Sequence, residues 1–271
     1  MALDKERLIL GEFSLLHIGF EERFRAAAAA GFTDVSLFWK TIQLHREQGG
    51  RDADFRDLAD TLGLRIAQLE FATPRPAAER EEFRTTAQDM ADTAHFLGCE
   101  TVHVVPLDPR ATRQDIVECL RILGGFCAVH SLSVGMEFVP FLSVVENLPD
   151  ALSITRDTGL ANVGVVLDAM HFQRGGAQWD ALESAGPAEI VTFQLDDAPL
   201  VRPGDDYGSE AMEGRLLPGD GGIDLPRIIA TLERIGFTGP LTMEVANREL
   251  NALPSTESTC IMAKSGSRLI A

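Results

Sequence analysis

The 271-residue chain has few cysteines, and none of them is arranged like the pairs that hold zinc or form disulfide frameworks. The four thiols, Cys99, Cys119, Cys127 and Cys260, are scattered, and no CxxC pair occurs. Closely spaced cysteine pairs are the usual sign of a zinc site or a small disulfide-bonded domain. We therefore expect free thiols in a reducing, cytoplasmic environment.

The sequence also lacks long apolar runs and an excess of basic residues. No run approaches the roughly 18 apolar residues that a membrane span needs, and the charged start MALDKERLIL does not resemble a signal peptide. Acidic residues outnumber basic ones 41 to 24, which gives a formal net charge of −17. This charge repels nucleic-acid phosphates and anionic membranes, so neither is expected as a partner.

Short β-branched runs alternate with longer amphipathic runs along the chain. Strict alternation predicts parallel strands joined by right-handed helical crossovers. Eight such units in this length favour one α/β domain, a (β/α)8 TIM barrel over residues 1–271, and an open doubly wound sheet is the alternative. No GxGxxG follows the first predicted strand. The predicted strands are 8–13, 34–39, 65–71, 101–105, 134–139, 163–168, 190–195 and 241–245, and the predicted helices include 21–30, 80–97, 112–130 and 225–235.

One connection is much longer than the others. Residues 198–222 follow the seventh predicted strand, are rich in Gly, Pro and Asp, and contain the only tyrosine, Tyr207. Long loops without secondary structure are uncommon in compact domains and usually functional, so we expect a lid, with a flexible insertion as the alternative. Residues 253–271 are expected to form the last helix and a tail.

Polar side chains stand at the ends of four successive predicted strands. Glu137, Asp168, Gln194 and Glu244 each follow or interrupt an apolar run. The active site of such a barrel lies at the carboxyl ends of its strands, so these side chains are expected to converge. Buried carboxylates are costly unless they are paired or bind a metal. The alternative is that each side chain only makes local hydrogen bonds.

Three carboxylates and one amide oxygen form an all-oxygen ligand set. Hard divalent cations prefer such ligands, so Mn²⁺ or Mg²⁺ is expected, with Co²⁺ and Zn²⁺ as alternatives. His171 stands three residues after Asp168 in the segment LDAMH. This placement favours a functional imidazole over a structural one.

Several segments together resemble the xylose-isomerase-like TIM-barrel superfamily of sugar isomerases, epimerases and related lyases. The resemblance is strongest from residue 133 to 247, and the opening HIGFEERFRAAAAAGFTDVSLFW is also typical. The matching segments are GMEF, LDAMH, FQLDDAP, PGDGGIDL and GFTGPLTMEV.

The resemblance implies one divalent metal held by Glu, Asp, His and Glu at four strand ends. Here Gln194 stands where many members have His, as in the branch that contains 3-dehydroshikimate dehydratases. The resemblance also implies that Glu137 and Glu244 double as the acid/base pair, and that His171 contacts a substrate oxygen or acts as an acid or base. Homodimers and tetramers are common in this family.

These residues suit an isomerase or epimerase that acts on a sugar-like α-hydroxyketone through an enediolate. Two alternatives remain open: a metal-dependent dehydratase of the 3-dehydroshikimate or inosose type, and a barrel that binds a ligand or partner without catalysis.

Four further residues are candidates for substrate binding. Glu70 and His103 lie in the third and fourth predicted strands, where they line the pocket or support it from behind. Trp39 follows the second strand and is suited to stacking on an apolar sugar face. Arg215, in the long loop, is suited to a phosphate or carboxylate, with a solvated loop charge as the alternative.

Overall fold

A computed structural model describes residues 8–270 and shows one closed barrel of parallel strands. The strands pair in sequence order, and the last strand pairs with the first. The predicted (β/α)8 TIM barrel is therefore confirmed. The strands are β1 Leu8–Leu10, β2 Asp34–Phe38, β3 Arg65–Ala72, β4 Thr101–Val104, β5 Ser133–Glu137, β6 Val163–Asp168, β7 Ile190–Leu195 and β8 Leu241–Met243.

Helices surround the barrel, and no helix within residues 8–270 is long and apolar enough to cross a bilayer. Short 3₁₀ helices cover Glu12–Leu15 and Ala77–Glu79. The α-helices are α1 Phe20–Ala30, α2 Trp39–Glu47, α3 Asp52–Leu62, α4 Arg80–Leu97, α5 Arg113–Val129, α6 Leu148–Asp157, α7 Ala169–Arg174, α8 Trp179–Glu183, α9 Tyr207–Glu213, α10 Leu225–Ile235, α11 Arg248–Asn251 and α12 Ser255–Leu269.

Local sequence signals explain where the outer helices begin and end. The Thr112 side chain accepts a hydrogen bond from the Asp115 backbone, so α5 begins with a capping box. The helix α10 ends at Gly236, whose φ of 81° needs a residue without Cβ. Leu225 and Ile228 are buried on one face of α10, as an amphipathic helix requires.

The interior of the barrel holds a hydrogen-bonded polar layer beneath the rim. The Gln68 amide donates to Thr192 Oγ1 at 3.1 Å and accepts from Thr242 Oγ1 at 2.9 Å. His103 Nε2 lies 3.2 Å from the same Thr192 hydroxyl. Buried polar groups are stable when they are hydrogen-bonded to one another, so this layer forms a firm base for the strand ends.

Three predicted strands extend at least two residues too far. The fifth strand was expected to reach residue 139, but β5 ends at Glu137. The first strand was expected to reach residue 13, but β1 ends at Leu10 because a 3₁₀ helix follows it. The eighth strand ends at Met243 rather than residue 245, so Glu244 lies just beyond it.

The long connection, residues 198–222, is also more ordered than expected, because it contains α9. The Asp206 side chain accepts a hydrogen bond from Ser209 N at 3.1 Å and caps this helix. A buried ion pair between Arg174 and Glu210, 2.5 Å between Nη2 and Oε1, attaches α9 to the barrel. Arg174 also donates to the Pro199 carbonyl at 2.7 Å. The segment is therefore a fixed cover over one side of the rim.

Candidate active site

A cavity opens at the carboxyl ends of the strands. It is a narrow cavity with a volume of about 90 Å³. This end of the fold is where barrel enzymes carry their active sites. The lining residues are Phe13, Phe38, Glu70, Phe71, Val105, Leu107, Glu137, Val139, Leu142, His171, Ala211, Met212, Arg215 and Glu244.

The four predicted strand-end residues all lie buried at this rim. Asp168 and Gln194 are fully buried and stand opposite each other in the pairing of β6 with β7. Glu137 and Glu244 are 5% and 4% exposed and reach the cavity itself. The structure therefore brings the predicted side chains to one face, with Glu137 and Glu244 at the cavity surface and the other two beneath it.

Arg215 is the main cation of this acidic cluster. Its Nη1 lies 2.5 Å from Asp168 Oδ2 and also contacts Asp196, and its Nη2 lies 3.9 Å from Glu244 Oε1. The side chain is 1% exposed, and its Nε donates to the Ala211 carbonyl at 3.1 Å. Three carboxylates therefore share one guanidinium in a region from which water is excluded.

The charge imbalance shifts the pKa values of the cluster. Burial raises the pKa of Glu244 well above its usual range, and the Glu137 charge raises it further. Burial and the Asp168 charge likewise raise the pKa of Asp196. Burial is the largest influence and opposes the charged form of Asp168, but the Arg215 guanidinium, His171 and the hydrogen bonds to this carboxylate together outweigh it and lower that pKa. The cluster holds more negative charge than Arg215 alone balances.

His171 is held in a single orientation by its neighbours. Its backbone N–H donates to Asp168 Oδ1 at 2.6 Å, so that Asp168 caps α7. Its Nε2 lies 3.1 Å from Glu137 Oε1, and its Nδ1 lies 2.5 Å from the Tyr207 hydroxyl. Burial raises the pKa of Tyr207, so this hydroxyl stays protonated. An ionised Glu137 can only accept, so the neutral imidazole that suits this site donates Nε2–H to Glu137 and accepts the Tyr207 hydroxyl at Nδ1.

The Gln194 side chain has one oxygen that is free to bind a cation. Its Nε2 donates to Glu244 Oε2, whereas its buried Oε1 has no hydrogen-bond partner. An unpartnered buried oxygen is unfavourable, and a cation would satisfy it. Glu137, Asp168 and His171 also each offer one ligand atom, and these three atoms lie within 4.8 Å of one another. Glu137, Asp168 and His171 therefore fit a divalent metal, whereas the predicted ligand Glu244 lies outside this group of three.

Two of the four predicted substrate-binding residues line the cavity, and the other two do not. Glu70 and Arg215 line the cavity. His103 lies behind Glu70, with 3.5 Å between Nδ1 and Oε2, and supports it from inside the barrel. Trp39 does not line this cavity: it borders a neighbouring cleft and stacks against Arg46. Phe38, the residue before Trp39, takes the place at the cavity wall.

The sequence reasoning left four site residues out of the predicted set. Asp196 had a detectable signal, because it stands two positions after Gln194 and so faces the same side of the chain. Tyr207 was noted only as part of the long loop. Phe13 and Phe71 had no signal, because apolar residues at strand ends are common in any buried sheet.

A family model described as a xylose isomerase-like TIM barrel matches residues 24–264. The chain belongs to this family. The match covers most of the barrel and all the strand-end residues discussed above, so the resemblance inferred from the sequence is confirmed.

Two relatives of this chain are named for different activities. A 3-dehydroshikimate dehydratase from Pseudomonas aeruginosa is 29% identical over 240 residues, which are 86% of this chain and 37% of that protein. The chain thus spans little more than a third of that relative's length. An inosose isomerase from Bacillus subtilis is 28% identical over 204 residues, covering 72% of this chain and 71% of that protein.

Solved structures show the same architecture. A crystal structure described as the IOLI protein with a binding zinc atom superposes with a TM-score of 0.87 at 21% identity, covering 97% of this chain and 98% of that one. At this identity the likeness shows the fold alone. The two relatives named above are a dehydratase and an isomerase.

Proposed function

We propose that the protein is a divalent-metal-dependent isomerase or epimerase acting on a sugar-like α-hydroxyketone. The observation that carries the proposal is the unpartnered Gln194 Oε1 beside a buried cluster of carboxylates that share one guanidinium. The carboxylates carry more negative charge than Arg215 balances, and Gln194 Oε1 is free to act as a ligand. A divalent cation would balance that charge and bind this oxygen.

Glu137, Asp168, Gln194 and Glu244 would hold the metal, and their all-oxygen character favours Mn²⁺ or Mg²⁺. When bound, the ion acts as a Lewis acid on the substrate carbonyl and makes the neighbouring C–H more acidic.

The protein side chains then move the proton. Glu137 accepts it from the substrate carbon, and the His171 Nε2–H, 3.1 Å away, stabilises the carboxylate in position. Glu244, the second carboxylate that reaches the cavity, is the matching acid and would return a proton to the substrate. Return to the opposite face of the same carbon gives an epimer, and return to the adjacent carbon gives an isomer. Arg215, at the cavity wall, binds a substrate oxygen.

A dehydratase is the second candidate, favoured by the relative that carries that name and by Gln194 in place of His. The same proton removal, followed by loss of a β-hydroxyl as water, gives an unsaturated ketone. The two candidates therefore differ only in where the electron pair goes after the first step.

A test is to incubate the protein with Mn²⁺ in heavy water and follow ketoses, inososes and 3-dehydroshikimate by proton NMR. Deuterium entering the carbon next to the carbonyl, without an ultraviolet-absorbing product, supports the isomerase. An enone or aromatic product supports the dehydratase instead.

The matched variants are Glu244→Gln and Glu118→Gln, the latter on α5 and away from the cavity. We expect the first to abolish exchange and the second to leave it unchanged. Equal behaviour of both, with no Mn²⁺ bound to the purified protein, would show that the barrel only binds a ligand or partner.

A further inference from the structure

Two consecutive residues, Glu70 and Phe71, both face the cavity. In a regular strand successive side chains point to opposite faces, so one of them should point away. The pairing of β3 with β4 shifts register between Leu69 and Ala72, and Phe71 has a φ of 83°. A bulge of this kind re-aims a side chain, often beside an active site.

The conformation of Phe71 is unfavourable by itself. A positive φ is rare for a bulky residue other than glycine, and such strain persists where the surrounding structure enforces it, chiefly at functional sites. The fold therefore holds this aromatic ring in the cavity at some cost, and the neighbouring carboxylate of Glu70 stays beside it.

Phe71 belongs to a continuous aromatic wall, which we define as Phe13, Phe38 and Phe71. The ring centroids of Phe38 and Phe71 are 5.2 Å apart, and those of Phe13 and Phe38 are 6.3 Å apart. The Arg215 guanidinium lies over the Phe13 ring at 5.4 Å, where the wall meets the charged cluster. One side of the cavity is thus mainly aromatic, with Glu70 as its only carboxylate, and the other side is ionic.

The rest of the lining continues this division. Among residues 8–270, no serine, threonine, asparagine, glutamine or lysine side chain lines the cavity. The remaining apolar residues extend to the mouth, where Leu142 and Met212 are 49% and 47% exposed. A hydroxyl pointing at the aromatic and aliphatic side chains would lose its water without gaining a partner, whereas a hydrocarbon would gain from burial. Glu70, beside Phe71, is the one acceptor on this side, and its Oε1 has no hydrogen-bond partner within the described residues.

We propose that the site takes a substrate whose oxygens lie along one edge and whose opposite side is hydrocarbon, and that Phe71 selects for that side. This inference rests on the proposed function, because the metal-binding edge orients the substrate. The expected substrate differs from a polyhydroxylated sugar, because the hydroxyls of such a sugar would face the aromatic wall. Phe71 acts on binding and does not take part in proton transfer.

The test uses three hydroxamates as probes, because they share one bidentate metal-chelating group and differ only in the attached portion. Benzohydroxamate carries an aromatic ring, gluconohydroxamate a polyhydroxylated chain, and acetohydroxamate a methyl group. Binding to the Mn²⁺-loaded protein is measured by isothermal titration calorimetry. We expect benzohydroxamate to bind about tenfold more tightly than gluconohydroxamate, since only its ring fits the apolar side.

The variant is Phe71→Gly, which removes the ring and tolerates the positive φ, so that folding is favoured. We expect it to lose about tenfold in benzohydroxamate affinity and to keep its acetohydroxamate affinity within about twofold. Ser131→Gly is the control, because Ser131 also has a positive φ, 60°, but lies in the exposed turn between α5 and β5, away from the cavity. Its three affinities should stay unchanged.

The outcomes separate this inference from the proposed function. If Mn²⁺ binds and gluconohydroxamate binds as tightly as benzohydroxamate, or if none of the probes binds, the inference is overturned while the metal site stands. An unchanged preference in Phe71→Gly overturns the role of Phe71. If Mn²⁺ itself does not bind, the proposed function and the inference both fail.

Discussion

Within residues 8–270, two arginines are buried near the carboxyl ends of the strands, and their surroundings differ. Arg23 pairs with one carboxylate, Glu12, at 3.0 Å, and donates to the Ile18 carbonyl at 3.1 Å. Glu12 in turn accepts from the Phe38 backbone N–H at 2.7 Å. Arg215 faces three carboxylates instead. The first cluster balances charge locally, and the second leaves an excess of negative charge.

The pKa values of the two arginines shift in opposite directions. Burial lowers the pKa of Arg23, and Glu12 only partly opposes this. Burial acts on Arg215 in the same sense, but Asp168 and its neighbouring carboxylates outweigh it and raise that pKa. A balanced buried pair holds two segments together, whereas an unbalanced one indicates a site for a further cation.

Replacing each arginine by methionine should have the largest effect and tests the difference between the two clusters. We expect Arg23→Met to lose about 3–5 kcal/mol of unfolding free energy, because Glu12 is left buried and unpaired. Arg215→Met should also be destabilised, but Mn²⁺ should restore its stability and not that of Arg23→Met. Urea unfolding with and without Mn²⁺ measures both effects. Equal rescue of the two variants would contradict the distinction between the clusters.

The second prediction exchanges one carboxylate in each cluster. Glu244→Gln should weaken Mn²⁺ binding by at least about 100-fold, or about 2.7 kcal/mol. It should change the stability of the metal-free protein little, because the raised pKa of Glu244 already favours a neutral side chain. Glu12→Gln should destabilise the protein and leave Mn²⁺ affinity unchanged. Calorimetric titration and urea unfolding check these results, and loss of Mn²⁺ binding in Glu12→Gln would count against them.

The third prediction concerns pH. The folded-state pKa values of Glu244 and Asp196 are raised, so the metal-free folded protein binds more protons than the unfolded chain above pH about 4.5. Its stability should therefore fall as pH rises from 5 toward 8, by up to about 1.4 kcal/mol per pH unit for one proton. Glu244→Gln should flatten this slope in urea unfolding measurements. A slope that is unchanged in the variant would assign the titration to other groups.

The smallest expected effect is that of Asp196→Asn. Asp196 contacts Arg215 but is not a predicted metal ligand, and its loss lets the guanidinium compete more strongly for Asp168. Mn²⁺ affinity should fall about three- to tenfold. A loss as large as that in Glu244→Gln would mean that Asp196 ligates the metal directly.

Many parts of the site could be predicted because their signals are local. Glu137 and Asp168 stand out as carboxylates within apolar strands, and the barrel geometry sends such strand ends to one face. A local signal was not sufficient for Trp39. Its position after a strand suggested the rim, but the backbone turns into α2 at this residue and carries the ring into a neighbouring cleft.

The role of Phe71 and the carboxylate partners of Arg215 could not be predicted from the sequence. The role of Phe71 depends on a register shift between two strands, and that of Arg215 on a loop that contains α9 and returns over the rim. Both are products of contacts between residues far apart in the chain.

The sequence alone determined the barrel, its eight strand–helix units and the acidic strand ends, because periodicity and strand-end chemistry are written in neighbouring residues. Only the tertiary structure decided that one guanidinium serves three carboxylates, that an amide oxygen is left without a partner, and that an aromatic wall faces them. The physical reason is that these features depend on distances across the barrel, which no local pattern encodes.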